Sequence, residues 1–214
     1  IAAGGGLLYG DWLMADRYAR EVTTDQMELT AAQIGDSVPY FIQTGRSLIR
    51  QYGAEISDLP VEVEALEETL SRQLRLVPFF GQLAVYEGEG EQIASSGGYR
   101  ESAEWELEQG IAAALVGMPQ EITIPPDPEG GKPTMVFLAP LTFQDGTPAV
   151  LAGWTDLTAN PMLLPVVTRL QALEELQAYV LDENSRVLLY PDEESLDSTR
   201  FPEDLEDGQS LQDT

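Results

Sequence analysis

A long run of helical periodicity near the amino-terminal end most constrains the fold of this chain. Apolar residues recur at helical spacing from Leu8 to about Tyr52, which predicts one amphipathic helix of roughly 40 residues or two consecutive helices. Pro39 predicts a kink or break inside the run, because proline has no amide proton for the helix. Gly53 predicts the end of the run. Such a helix is too long for one small globule, so it predicts a spine along which two modules stack.

The segments that follow alternate between helical and strand periodicity. The stretch after "SDLP" predicts a second helix that stops at Pro78, and "SAEWELEQGIAAALVG" predicts a third that begins at Ser102 and ends at Gly117. Strands are predicted in "EITIPP", "TMVFLAPLTF" and "TPAVLAGWTDL", with an Asp-Gly hairpin turn between the last two. Asn160 and Pro161 predict the start of a further helix. An antiparallel sheet with helices packed beside it is an α+β fold.

One hairpin pattern occurs twice. The stretches "QLAVYEGEGEQIASS" at 82–96 and "QAYVLDENSRVLLYPDE" at 177–193 each contain an apolar run, an acidic residue, small or polar residues and a second run. When Glu87 is placed over Asp182, Val85 falls on Val180. The repetition predicts two related modules, of which the second begins close to the end of this sequence.

Charge and residue usage narrow the function classes. The chain has 37 Asp and Glu against 11 Lys and Arg, a net charge of −26, which makes nucleic-acid binding unfavourable because phosphates are repelled. It contains no cysteine and no histidine, so thiolate nucleophiles, Cys/His zinc sites and Ser-His-Asp triads are excluded. The sequence shows no apolar run of about 20 residues that would span a bilayer. No cofactor is expected.

These elements together resemble a bacterial double CACHE sensor domain, in which a long helix runs beside two PAS-like modules. The resemblance extends from about Asp11 to Asp192 and is most specific in "LAGWTDLTANPMLLPV" and "AYVLDENSRVLLYPDE". It implies a helical spine at 1–78, a membrane-distal module at 79–160, a linking helix at 161–175 and an incomplete membrane-proximal module at 176–214. The tail after Tyr190 is acidic and turn-rich, which predicts a loop.

The resemblance also implies a function. It is that of an extracytoplasmic small-molecule sensor, joined to a cell membrane only through flanking segments and carrying a kinase, chemoreceptor, cyclase or phosphatase output. A homodimer through the long helix is expected, since its apolar stripe is wider than one module covers. An enzyme is not expected. The alternative is a ligand-free structural or dimerisation domain with the same fold.

The ligand site implied by the resemblance lies in the distal module between the sheet and its covering helix. Amino-acid-sensing members carry a Tyr, then an Arg two residues before a Trp, an aromatic residue after that Trp, and a late Asp. Here Trp105 matches the Trp and Asp156 matches the late Asp, but Ala103 and Glu106 stand at the other two positions. Tyr99 lies near the first Tyr at shifted spacing. A bidentate carboxylate clamp is therefore missing unless Arg100 replaces it.

Seven residues form the predicted ligand site, and each has an alternative role in packing. Trp105 is either a ligand platform or a core residue, and Trp154 with Asp156 forms either a pocket wall or a half-exposed strand end. The seven are Tyr86, Tyr99, Arg100, Trp105, Phe137, Trp154 and Asp156. No metal site is predicted.

Overall fold

A computed structural model describes residues 32, 35–88, 90–97, 105–124, 132–172, 180–181 and 187–189. The chain divides into two compact units, Ile1–Gln43 and Thr44–Thr214. The sheet and the candidate site described below belong to the second unit. The predicted domain boundaries remain predictions, and most of the proposed spine and tail lie outside the described residues.

The described elements are helices and short strands in α+β order, as the sequence predicts. In chain order they are α1 (35–57), α2 (Val63–Leu76), β1 (Gln82–Glu87), β2 (Glu91–Ser95), α3 (Trp105–Leu115), β3 (Gln120–Ile124), β4 (Thr134–Thr142), β5 (Pro148–Asp156), α4 (Leu164–Ala172), β6 (Val180–Leu181) and β7 (Val187–Leu189).

Helix α1 passes through both residues that were expected to interrupt it. Pro39 lies within the helix, and the helix continues past Gly53 to residue 57. Ile56, in this added turn, is fully buried, so tertiary packing outweighs the local tendency of glycine to end a helix. The Ser57 hydroxyl donates to the Gly53 carbonyl at 2.9 Å. The prediction that Gly53 ends the helix was therefore wrong.

The main sheet has five antiparallel strands in the order β2-β1-β5-β4-β3. Strands β4 and β5 are each nine residues long and lie inside the sheet, where most of their residues are buried. The turn between them contains Gly146 at φ 87°, and the Asp145 carboxylate accepts the Thr147 amide at 2.9 Å. The predicted Asp-Gly hairpin is therefore confirmed.

The sheet buries both of its faces, which makes the core two-layered. One face, here called the α3-facing surface, packs on Leu107, Ile111 and Ala114 of α3; it comprises Ala84, Tyr86, Ile122, Val136, Leu138, Val150, Ala152 and Trp154. The other, here called the α1-facing surface, contains Phe137, whose ring lies 5.9 Å from those of both Phe79 and Phe80.

Helix α3 lies close against the α3-facing surface at one point. A Cβ built on Gly110 would come within 2.9 Å of the Leu138 side chain and also overlap Ile122, so only glycine permits this approach. The helix ends at Gly117, with φ 93°. The amides of Gly117 and Met118 donate to the carbonyls of Ala114 and Ala113, which is the Schellman arrangement.

An ion pair joins α1 to the edge strand β3. Arg46 Nε lies 2.5 Å from Glu121 Oε1, and Arg46 Nη2 donates to Glu121 Oε2 at 2.8 Å. The pair is bidentate, which is the strongest geometry available to a guanidinium and a carboxylate. It fixes the position of α1 relative to the strand that α3 also covers.

The segment after β5 is held by a buried asparagine. Asn160 is 3% exposed, and its amide nitrogen donates to the Phe79 carbonyl and to the Thr155 hydroxyl, each at 2.9 Å. Its side-chain oxygen accepts the Met162 amide at 2.9 Å. Asn160 thus caps a turn, and helix α4 begins at Leu164, later than the predicted start at Pro161.

The predicted second hairpin is present as the two-stranded sheet of β6 and β7. Val180 pairs with Leu189 and Leu181 with Val187 in antiparallel register. The remainder of the predicted proximal module lies outside the described residues.

Candidate functional site

Two aromatic rings face each other across the α3-facing surface. The ring centroids of Tyr86 and Trp154 are 6.2 Å apart, with the planes inclined at 50°. Ala84 pairs with Ala152 between them, and these small side chains leave room for the rings to approach. The Tyr86 hydroxyl donates to Gln92 Oε1 at 3.3 Å. The pattern therefore places two of the predicted ligand-site residues in contact.

Trp154 holds the most informative polar atom of the site. The residue is 2% exposed, and its Nε1 is buried without a hydrogen-bond partner among the described residues. An indole N–H is only a donor, and leaving a buried donor unmet costs about 1–3 kcal/mol. The position of Trp154 is fixed by its pairing with Gln82 on β1 and Val136 on β4. The protein thus holds a rigid donor on the α3-facing surface.

Asp156 is two residues further along β5 and therefore on the same face of the strand. Its Oδ1 accepts three hydrogen bonds, from the Thr158 amide at 2.8 Å, the Thr158 hydroxyl at 2.6 Å and the Ala159 amide at 3.1 Å. Its Oδ2 lies 3.1 Å from Lys132 Nζ. Both oxygens are therefore engaged by the protein itself.

The pKa of Asp156 lies below its ordinary value. Burial is the largest single influence and would raise the pKa, because it disfavours the charged carboxylate. Hydrogen bonds from Thr158, Lys132 and Ala159 together outweigh burial. Asp156 is consequently ionised at neutral pH and supports the positive charge of Lys132.

Lys132 is a site residue that the sequence reasoning missed. It is the single lysine of the 214 residues, and its side chain is 57% exposed. The chain beside it is fixed, since the Leu157 amide donates to the Pro133 carbonyl at 2.9 Å and Thr134 pairs with Asp156. Its uniqueness in so acidic a chain was a signal available in the sequence, but its partner 24 positions later was not.

The remaining predicted site residues are not all brought together. Phe137 pairs with Gly153 and packs against Phe79 and Phe80 on the α1-facing surface, so the sheet separates it from Tyr86 and Trp154. Trp105 is the first residue of α3. Tyr99 and Arg100 lie outside the described residues, so their participation remains a prediction.

Within the described part of the chain, no group of three or more acidic side chains is arranged to hold a metal ion. A search of the same part finds no helix with the length and apolar character needed to cross a membrane.

No protein-family model matches this chain. No curated protein matches it either.

Solved structures with this fold include ligand-binding domains of bacterial receptors. The domain of the Pseudomonas aeruginosa PAO1 amino acid chemoreceptor PctC, in complex with GABA, has a TM-score of 0.55 and 18% identity over 83% of this chain and 75% of its own. The domain of the Pseudomonas fluorescens chemoreceptor CtaA, in complex with L-serine, has a TM-score of 0.53 and 14% identity over 82% and 74%. An extracellular ligand binding receptor from Desulfohalobium retbaense has a TM-score of 0.51 and 11% identity over 67% and 27%.

The chain therefore has the α+β fold of CACHE-type sensor domains. At these identities the likeness is one of fold.

Proposed function

We propose that this chain is the extracytoplasmic small-molecule-sensing domain of a bacterial transmembrane signal transducer. The fold supports this proposal, because the similar structures are ligand-binding domains, two of them from chemoreceptors and solved with GABA or L-serine bound. The observation that carries it is the buried indole N–H of Trp154, which has no acceptor among the described residues. A ligand acceptor atom would complete that hydrogen bond.

The proposed site lies on the α3-facing surface at its Trp154 end. Trp154 and Tyr86 would supply aromatic contact, and Asp156 would orient charge at the edge. Tyr99, Arg100 and Trp105 are proposed to complete the site from the segment that leads into α3. Phe137 would act only through the packing of the opposite face. Binding would favour one arrangement of the domain, and unequal affinity for two arrangements is what signalling requires.

The proposal includes a non-enzymatic role and a homodimer. The chain offers no cysteine or histidine for catalysis, and the acid with a lowered pKa, Asp156, is held by its own loop and by Lys132. The homodimer is proposed to form through the long amino-terminal helix.

A thermal-shift screen of the chain against amino acids, amines, organic acids, sugars and divalent cations tests the sensing role. A ligand at 100 times its Kd adds about 2.7 kcal/mol, which should raise the Tm of a domain of this size by roughly 5–10 °C. The expected hit is weakened by Trp154→Phe and retained by Tyr52→Phe, which removes a buried, unpartnered hydroxyl from the α1 side of the sheet. A folded protein that responds to no member of the panel would contradict the proposal.

One observation favours a second candidate, a structural or dimerisation domain without a ligand. Both oxygens of Asp156 already have protein partners, as expected of a carboxylate that only caps a loop. This candidate predicts that Trp154→Phe leaves every property of the chain unchanged. Light scattering across a concentration series would then show a dimer with no ligand response.

A further inference from the structure

The Trp154 end of the α3-facing surface combines one unmet donor with one cation. The unmet donor is Trp154 Nε1, in a residue that is 2% exposed. Because indole has no acceptor, whatever completes this site must bring a lone pair. Water or any neutral carbonyl would satisfy that requirement alone, so the second group determines the class of ligand.

The second group is the ammonium of Lys132. It lies 3.1 Å from Asp156 Oδ2, which places it at the end of the strand face that carries Trp154. In a chain of net charge −26, this is a local positive charge where most of the surface is negative. A cation beside a donor favours an acceptor that is itself negative, because hydrogen bonds to charged groups are about twice as strong as neutral ones.

Asp156 does not offer the complementary site for a cationic ligand. Three donors already occupy Oδ1, and a ligand amine approaching Oδ2 would have to displace Lys132. A like-charge approach of an amine to the ammonium is unfavourable. The site as built therefore recognises negative charge and not positive charge.

We infer that Trp154 and Lys132 together bind the carboxylate of a small organic acid, with one oxygen accepting the indole N–H and the other facing the Lys132 ammonium. This inference rests on the proposed sensing function and names its ligand class. It requires no guanidinium clamp, which agrees with the alanine at position 103. It also gives Lys132, and not Asp156, the specificity-determining role.

The test uses matched probes on the full chain: propionate, butyrate and succinate, each with its amide and with the primary amine of the same carbon skeleton. Affinity is measured by calorimetry, and the Trp154 indole signal, assigned with Trp154→Phe, is followed by nitrogen-15 NMR. At least one carboxylate should bind and move that signal, while its amide binds at least tenfold more weakly and its amine not at all. Lys132→Gln should weaken carboxylate binding at least tenfold, and Lys132→Arg should retain most of it.

Arg75→Gln is the matched control, since it removes one positive charge at the exposed end of α2 and should leave binding unchanged. Preferential binding of amines or amides would overturn the carboxylate inference while leaving the sensing role intact. Carboxylate binding that Lys132→Gln does not reduce would overturn it equally. A folded chain that ignores every probe here and every ligand class in the broader screen would overturn the proposed function, and the inference with it.

Discussion

Trp154 and Asp156 stand two residues apart on one face of β5 with opposite degrees of satisfaction. The indole N–H of Trp154 has no acceptor among the described residues, whereas Asp156 accepts three hydrogen bonds at one oxygen and pairs with Lys132 at the other. The same strand end thus carries a finished structural group and an unfinished recognition group. Four predictions follow from this relationship and from the packing that surrounds it.

Trp154→Phe should change the stability of the unliganded protein little. The substitution removes a buried donor whose partner is missing and keeps most of the aromatic packing, so the free energy of unfolding should stay within about 1 kcal/mol of wild type. Trp154→Ala should cost about 3–5 kcal/mol, because it opens a cavity beside Tyr86. Urea unfolding measures both. A loss above 2 kcal/mol in Trp154→Phe would show that the indole nitrogen is already bonded within the protein.

Asp156→Asn should be destabilising at neutral pH and almost neutral in acid. The pKa of Asp156 is lowered in the folded protein, so its carboxylate stabilises the fold above the unfolded pKa of about 3.9 and loses that effect as pH falls through the folded value. We expect a difference of about 1 kcal/mol at pH 7 that shrinks below pH 4. Urea unfolding at several pH values measures it, with exposed Asp58→Asn as the control. A difference that persists at pH 2.5 would contradict the assigned charge interaction.

Two helical glycines should respond oppositely to the same substitution. Gly110→Ala drives a methyl group into Ile122 and Leu138 and should cost about 1–3 kcal/mol. At Gly53 the nearest side-chain atom, Leu141 Cβ, is 4.0 Å from an added Cβ, so Gly53→Ala should stabilise by up to about 1 kcal/mol. Thermal unfolding of the two variants compares them directly. Stabilisation of both would mean that α3 is not held close to the sheet at Gly110.

The Arg46–Glu121 pair should show measurable but modest coupling. Arg46 is 56% exposed and Glu121 22%, so a double-mutant cycle to alanine should give about 0.5–1 kcal/mol. The coupling should fall in 1 M salt, where the Debye length is about 3 Å. A cycle between Arg50 and Glu121 is the control and should give a value near zero. Coupling that salt leaves unchanged would indicate packing of the arginine stem and not charge.

The sequence predicted those elements whose local signals agree with their packing. The β1–β2 turn requires glycine, and Gly88 and Gly90 there have φ of 60° and 99°. The Asp-Gly turn after β4 and the glycine end of α3 follow the same rule. In each case the conformation is available to glycine and costly for other residues, so composition alone was sufficient.

Other features depend on partners distant in sequence. Strand β4 is apolar on both faces, so its alternation does not say which side Phe137 occupies; pairing with Gly153 decides it. Gly53 ended the helix in the sequence reading because the burial of Ile56 is a tertiary effect. The pairing of Lys132 with Asp156 likewise depends on the alignment of β4 with β5. These residues show that site prediction failed where register, and not local preference, selects the neighbour.

The close approach at Gly110 has a mechanical consequence for α3. A rod held hard against a plate at one point responds to a load elsewhere by tilting about that point. Trp105, the first residue of the helix, lies five positions before Gly110, about 7 Å along the axis. Gly110 is therefore a fulcrum: a wedge under the Trp105 end swings the opposite end toward the sheet, and a local insertion becomes an angular displacement of the whole helix.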